Sequence, residues 1–193
     1  MSVEAPGGGQ HRQRIIAAAS EITTRSGWAS VTMARLADMV GVSRQTVYNE
    51  IGSKPALAEA MVLDELTRFL ALVDRAFDEH PGDVIAAITD AVTGILKLAQ
   101  GNTLLHAVVS ATHGADTELL PLLTTHASSL LTSAKQVVAN RMRPVPVDVT
   151  SAQLDSAIDM VVRVVLSHVM EPSATPEETA ASIAWIARRV LYR

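Results

Sequence analysis

The sequence predicts an all-α protein, with an N-terminal three-helix helix-turn-helix domain followed by a larger helical body, about nine helices in all. Three observations lead there. Apolar residues recur at the i, i+3, i+4, i+7 spacing of one buried helical face along the chain. Capping residues stand where those runs begin, and glycine or proline where they end. No convincing run of alternating apolar and polar residues appears, and no internal repeat.

The elements follow in order. Residues 1–9 read as a flexible tail. The first helix starts near Arg12, burying Ile15, Ala18, Ala19 and Ile22, and Gly27 stops it just past its C-terminus. Thr32 is the N-cap of a short helix carrying Met33, Leu36, Ala37 and Val40 inward, broken at Gly41. Ser43 caps a third helix, with Val47 and Ile51 inward. After Gly52, Ser53 caps a long fourth helix reaching about His80, where Pro81 and Gly82 end it. Asp83 opens a helix to about Ala99, and Gly101 with Asn102 separates it from one ending near Gly114. Another begins between Asp116 and Pro121 and runs to about Met142, before Pro144 and Pro146 enforce a loop. Thr150 with Gln153 is a capping box opening a helix to about Met170. Thr175, Pro176 and Glu178 form a stronger one, with proline at the first helical position, and open the last helix.

Composition narrows the function. The chain has 193 residues, and its 48% hydrophobic and 19% charged content suits a folded domain rather than a disordered polyelectrolyte. Aromatics are only 3%, so Ala, Val, Leu and Ile must build the core. Cysteine is absent, which removes disulfides, thiolate metal sites and thiol nucleophiles together. Leu98 to Ala115 and Leu119 to Ala134 carry no charge, but their histidines, hydroxyls and glycines leave both short of the ~20 apolar residues of a spanning helix. With no apolar export segment near the N-terminus, the expectation is a soluble cytoplasmic protein. The net charge of −4 hides an asymmetry: residues 1–54 hold six bases against four acids, and residues 55–193 ten against sixteen. A basic head on an acidic body suits a DNA-binding module joined to something else.

Met33 to Glu50 carries the function. Two short helices can cross steeply only if Ala37 is small, Gly41 supplies a turn that a Cβ would penalise, and Val47 plugs the space between them. Those offsets make a helix-turn-helix, whose second helix can enter the DNA major groove. With Val47 inward, Arg44, Gln45, Thr46, Tyr48 and Asn49 point outward. Arginine can pair bidentately with guanine, glutamine or asparagine with adenine, and threonine can meet a thymine methyl or a phosphate. Tyr48 offers a hydroxyl to phosphate. Lys54, at the start of the fourth helix, combines a cation with open backbone N–H groups.

From Arg12 to Met61 the chain resembles the tetracycline-repressor (TetR) family of bacterial regulators. The resemblance rests on Gly27 and Trp28, Thr32, Leu36 and Ala37, Val40 to Ser43, Thr46 to Tyr48, Gly52 to Lys54, and Ala56 with Leu57. It implies a homodimer whose N-terminal domains bind a palindromic operator, and whose helical C-terminal domain binds a small molecule and carries the dimer interface. By resemblance, Thr32, Tyr48 and Lys54 touch phosphates, and Arg44, Gln45 and Asn49 read bases. Two residues depart from the pattern: Ile51 stands where the family usually has an aromatic, and Glu50 places an acid near the DNA backbone, weakening phosphate attraction there.

Beyond residue 60 the reading is physical. A helix over about Asn102 to Thr112 has no charge on any face, so it is expected to be buried on most sides. His106 and His113 lie two turns apart on one face. They are either hydrogen-bonded core or surface histidines, or they line a ligand pocket together with Asp90. Arg163 either pairs with Asp159 four residues earlier or, facing inward, holds a ligand carboxylate. His126 and His168 complete no metal-ligand spacing, so no metal or cofactor is expected. Aliphatic walls favour an elongated apolar effector, such as an acyl chain or hydrophobic drug. Ile158, Val162 and Val165 in the penultimate helix, and Ala181, Ala184 and Trp185 in the last, are the expected dimer interface, unless those helices pack only within the monomer.

The expected organisation is therefore a tail over 1–9, a DNA-binding domain over 10–54 and a ligand-binding and dimerisation domain over 55–193. The expected function is a regulator, a repressor released from its operator by a small ligand. The alternative is a DNA-binding activator or architectural protein without an inducer, which small molecules would leave unaffected. An enzyme using His106, His113 and Asp90 lacks any nucleophile motif, phosphate loop or ligand cluster.

Overall fold

A computed structural model describes residues 8–102, 105–106 and 127–192. All regular structure among these residues is helical. In chain order the helices are α1 (Gly8–Ser26), a single 3₁₀ turn (Trp28–Ser30), α2 (Met33–Val40), α3 (Arg44–Ile51), α4 (Lys54–Glu79), α5 (Val84–Gln100), α6 (Ala127–Met142), α7 (Ser151–Met170) and α8 (Pro176–Leu191).

Starts and stops follow the local chemistry. Thr32, Ser43, Asp83, Thr150 and Thr175 each accept a backbone N–H of the first turn of the helix they precede. The boxes at Thr150 with Gln153 and Thr175 with Glu178 are closed in both directions. Accepting bonds from the Thr175 hydroxyl and backbone N–H holds the Glu178 carboxyl below the usual carboxylate range. α1 begins four residues before the expected Arg12, at Gly8. The 3₁₀ turn after Gly27 had no counterpart in the periodicity, because three residues are too few to show one. His113, His126, most of the uncharged helix expected over 102–112 and the start of the helix ending at Met142 lie outside the described residues.

The chain divides into two compact units. Among the described residues, one holds 8–65 with Leu105 and His106, and the other holds 66–102 and 127–192. The division falls inside α4 rather than at its start. The physical reason is that Leu57, Ala58, Ala60 and Met61, in the first turns of α4, are buried in the same core as α1 to α3. That core is aliphatic, with Ile15, Ala19 and Ile22 of α1 against Leu36, Ala37, Val40, Val47 and Ile51; Trp28 adds the bulk. Ile51, the departure from the usual aromatic, is thus a core residue.

In the second unit α8 packs along α5, and α7 lies against both α5 and α8. Its cores are again aliphatic: Val84, Met142, Ile158, Ala187 and Leu191 in one cluster, Val92, Leu96, Val165, Ala180 and Ile183 in another. Ion pairs tie the helices at the surface. Arg141 of α6 donates to Asp74 and Asp78 of α4 at 2.6 and 2.7 Å, and Lys97 of α5 meets Glu177 of α8 at 2.7 Å.

Gly41 ends α2 in the left-handed region at φ 75°, and a Cβ there would meet nothing within 4 Å. Gly41→Ala should therefore cost only the conformational penalty, about 1–2 kcal/mol. Leu36→Ala, opening a void at a fully buried position, should cost about 2–5 kcal/mol. Urea unfolding followed by the fluorescence of buried Trp28 reads both; a neutral Gly41→Ala would mean that the turn does not need its glycine.

Candidate nucleic-acid interface

α2 and α3 are each eight residues long, two turns apiece, and their crossing sets what α3 can offer. Ala37 and Val47 are buried, Val47 with no exposed surface. Gly41 donates its N–H to the Ala37 carbonyl at 2.9 Å and Val42 does so at 3.0 Å, so α2 ends sharply and the chain turns directly into α3. Ser43 then caps α3, accepting the Thr46 N–H at 3.0 Å.

With Val47 and Ile51 committed to the core, the remaining face of α3 is polar and open. Arg44, Gln45, Tyr48 and Asn49 are exposed, Tyr48 by half of its surface. Arg44 makes no hydrogen bond or ion pair among the described residues. The Gln45 amide donates to the Asn49 carbonyl oxygen at 2.9 Å, one turn on, leaving each amide with further donors and acceptors for a base edge. Thr46 is half-buried, its hydroxyl 2.9 Å from that of Ser43, so it belongs more to the cap than to the open face. Thr32 is exposed while its hydroxyl accepts the Arg35 N–H at 3.2 Å; the hydroxyl proton is still available to an anion. Lys54 is partly buried, its ammonium 4.9 Å from the centre of the Trp28 ring, a cation–π distance.

Three basic residues that charge counting assigns to nucleic acid are engaged elsewhere. Arg12 donates to the Glu50 carbonyl and Arg14 to the Val40 carbonyl, each at 2.6 Å. Arg25 pairs with Glu21 at 2.7 Å. Reading the sequence for basic residues missed this role, since no spacing rule marks an arginine that reaches a carbonyl far along the chain.

Of the expected ligand residues, His113 lies outside the described residues. His106 is exposed and belongs to the first unit, whereas Asp90 and Arg163 belong to the second. Asp90 lies 3.5 Å from His80. Arg163 is exposed and donates to Asp159 at 2.8 Å, the first of its two expected readings. That bond and a second from Lys135 at 2.9 Å hold the Asp159 carboxyl below its ordinary range. Among the described residues no three His, Asp or Glu side chains are grouped to hold a metal ion, and no helix is long and apolar enough to cross a membrane.

The expected interface residues divide by exposure. Ile158, Val165 and Ala184 are buried and Val162 is partly buried; Ile158 packs in a cluster with Val84 of α5 and Val165 in one with Val92 and Leu96 of α5. Trp185 and Ala181 are exposed. The apolar residues left open are Met160, Val164 and Leu166 of α7, with Trp185, Ile186 and Val190 of α8. Met160 with Val164, and Ile186 with Val190, are four apart, so a second apolar stripe was legible; which stripe faced inward was not.

Comparison with known proteins bears on both units. Residues 15–61 match the family described as bacterial regulatory proteins, tetR family, and residues 83–189 match the family described as bacterial tetracyclin repressor, C-terminal domain. The HTH-type transcriptional regulator AlkX of Mycobacterium tuberculosis is 25% identical over 173 residues, 90% of this chain and 81% of that protein. Among solved structures, the TetR family repressor AlkX from Dietzia sp., described as implicated in biodegradation of n-alkanes, aligns at a TM-score of 0.74 and 24% identity, over 98% of this chain and 96% of that one. RolR in complex with resorcinol aligns at 0.60 and 16% identity, over 97% and 95%. These structural likenesses establish the fold.

The two kinds of cation should separate experimentally. Arg44→Ala should lower affinity for a duplex enriched from a random library by about 1–3 kcal/mol and relax base preference at one position. Lys54→Ala should weaken all duplexes alike and flatten the salt dependence by about 0.9 in slope. Fluorescence anisotropy across a salt series checks both; identical behaviour of the two variants would refute the division of roles.

Proposed function

The chain belongs to the TetR family of bacterial DNA-binding transcriptional regulators, and from that premise we propose that it is a homodimeric repressor which leaves a palindromic operator when a small apolar ligand occupies its helical body. The observation that carries the reading is the open face of α3, with Arg44, Gln45, Tyr48 and Asn49 outward over a buried Val47. Thr32, Thr46 and Lys54 supply phosphate contacts beside it. For two such helices to read successive major grooves, they must stand roughly 34–36 Å apart on a dimer.

The second copy is expected on the open apolar stripes of α7 and α8. Met160 and Trp185 are each 62% exposed, large for apolar side chains. Covering such surfaces is the ordinary driving force of association. Ala181 beside them would let a partner helix approach closely.

Release requires a ligand that binds one dimer arrangement more tightly than the other, since equal affinity shifts nothing. α4 suits the coupling. Its first turns are buried with the DNA-binding helices, and its later residues Asp74 and Asp78 are held by Arg141 of the body. The aliphatic cores around α5, α7 and α8 favour an elongated apolar effector, and the association of the Dietzia relative with n-alkanes agrees with that choice. Asp90, His106 and His113 remain candidates for orienting a polar end of such a ligand.

Two measurements test the proposal. Sedimentation should give a dimer at micromolar concentration for the natural chain and a monomer for Trp185→Glu combined with Met160→Glu; a natural chain that sediments as a monomer defeats the dimer. Medium- and long-chain alkanes and acyl compounds, titrated into the operator complex, should release the DNA with heat of binding, and resorcinol should not. Release by resorcinol alone, or by none of them, would overturn the choice of ligand.

A further inference from the structure

Beyond the residues that face DNA, we propose that Arg12 and Arg14 of α1 are positioning residues for recognition, holding the C-termini of both helices of the helix-turn-helix at one angle.

The argument begins with unmet backbone groups. A helix leaves its last four carbonyls without internal partners, and in a helix of eight residues those four are half the total. At the end of α2, Ala37 is satisfied by the N–H groups of Gly41 and Val42; at the end of α3, Tyr48 is satisfied by that of Gly52. Val40 and Glu50 are then taken by arginine, each at 2.6 Å, a short distance for a charged donor. A guanidinium at that end also opposes the negative pole of the helix dipole.

Geometry makes the pair act together. Residues two apart on a helix point about 200° from one another, so Arg12 and Arg14 leave opposite sides of α1. α1 packs against both α2 and α3, and one arginine serves each. The core beneath is mostly Ile, Leu, Val and Ala, with Trp28 and Met61, and such apolar contacts carry no direction and would tolerate small rotations of a two-turn helix. Directional bonds at both C-termini remove that freedom. A recognition helix must present Arg44 and Gln45 to base edges within fractions of an ångström, so its rotation about α1 is a variable that specific binding reads and general electrostatic attraction does not.

This proposal rests on α3 being the recognition helix, and the experiment separates the two claims. The full chain and its variants Arg14→Gln, Arg14→Lys, Arg12→Gln and Arg44→Ala are titrated by anisotropy onto two duplexes. One is the sequence that the natural chain enriches from a random library; the other is a scrambled duplex of equal length. Both series are run across salt, with thermal unfolding beside them. Arg14→Gln and Arg12→Gln should each lose on the order of tenfold on the enriched duplex, less than about twofold on the scrambled one, and keep the salt slope; Arg14→Lys should recover part of the loss. A slope lower by about 0.9, with equal loss on both duplexes, would make these arginines phosphate contacts and overturn the proposal. A lower unfolding temperature with unchanged operator affinity would leave them structural only and overturn it too. Arg44→Ala is the control on the premise: were it to leave the enriched duplex unaffected, α3 would not be the reading helix, whatever the other variants do.

Discussion

The close crossing of two short helices over Ala37 and Val47 is the constraint on which the DNA-binding unit depends. Neither eight-residue helix is long enough to persist alone, so each exists because its apolar face is covered. Covering both at once demands a small side chain at one point of contact, a filling one at the other, and a turn between them with a left-handed residue. Ala37, Val47 and Gly41 meet those demands, and everything outward on α3 follows. Once Val47 points in, Arg44, Gln45, Tyr48 and Asn49 have nowhere to go but out.

Charge acquires a different meaning in three dimensions. Six basic residues against four acids in the first 54 positions look like a uniform attraction for nucleic acid. The structure divides them. Arg12, Arg14, Arg25 and Arg35 are engaged with nearby backbone or acid, Lys54 lies over the Trp28 ring at the start of α4, and Arg44 stands exposed at the start of α3. A net count therefore understates how far placement matters, since Arg12 and Arg14 keep their charge but commit their donors to backbone carbonyls. Glu50 illustrates the same point, since its backbone carbonyl is what Arg12 holds.

The second unit is organised by aliphatic packing and closed by ion pairs at its surface. Asp159, held between Lys135 and Arg163, ties α7 to the preceding α6, and Arg141, reaching two carboxylates of α4, joins helices distant in sequence. Exposed pairs of this kind add little stability one by one, because solvent screens them and ordering long side chains opposes them. Their contribution is more to register between helices than to holding the core together.

Amino-acid order alone determined the helical class, the two ends of α2 and α3, the capped starts of α5, α7 and α8, and the residues presented by α3. Those features depend on interactions within a few positions: a hydroxyl meeting an N–H three residues on, a glycine accepting positive φ, an apolar step of three or four. Tertiary structure alone decided which of two apolar stripes on α7 and α8 turned inward, burying Ile158, Val165 and Ala184 and leaving Met160, Val164 and Trp185 open. It also decided that Arg163 pairs with Asp159, and that Arg12 and Arg14 close the helix ends. Periodicity reports that a face is apolar but not what covers it, and a long charged side chain reaches partners that no local rule can name.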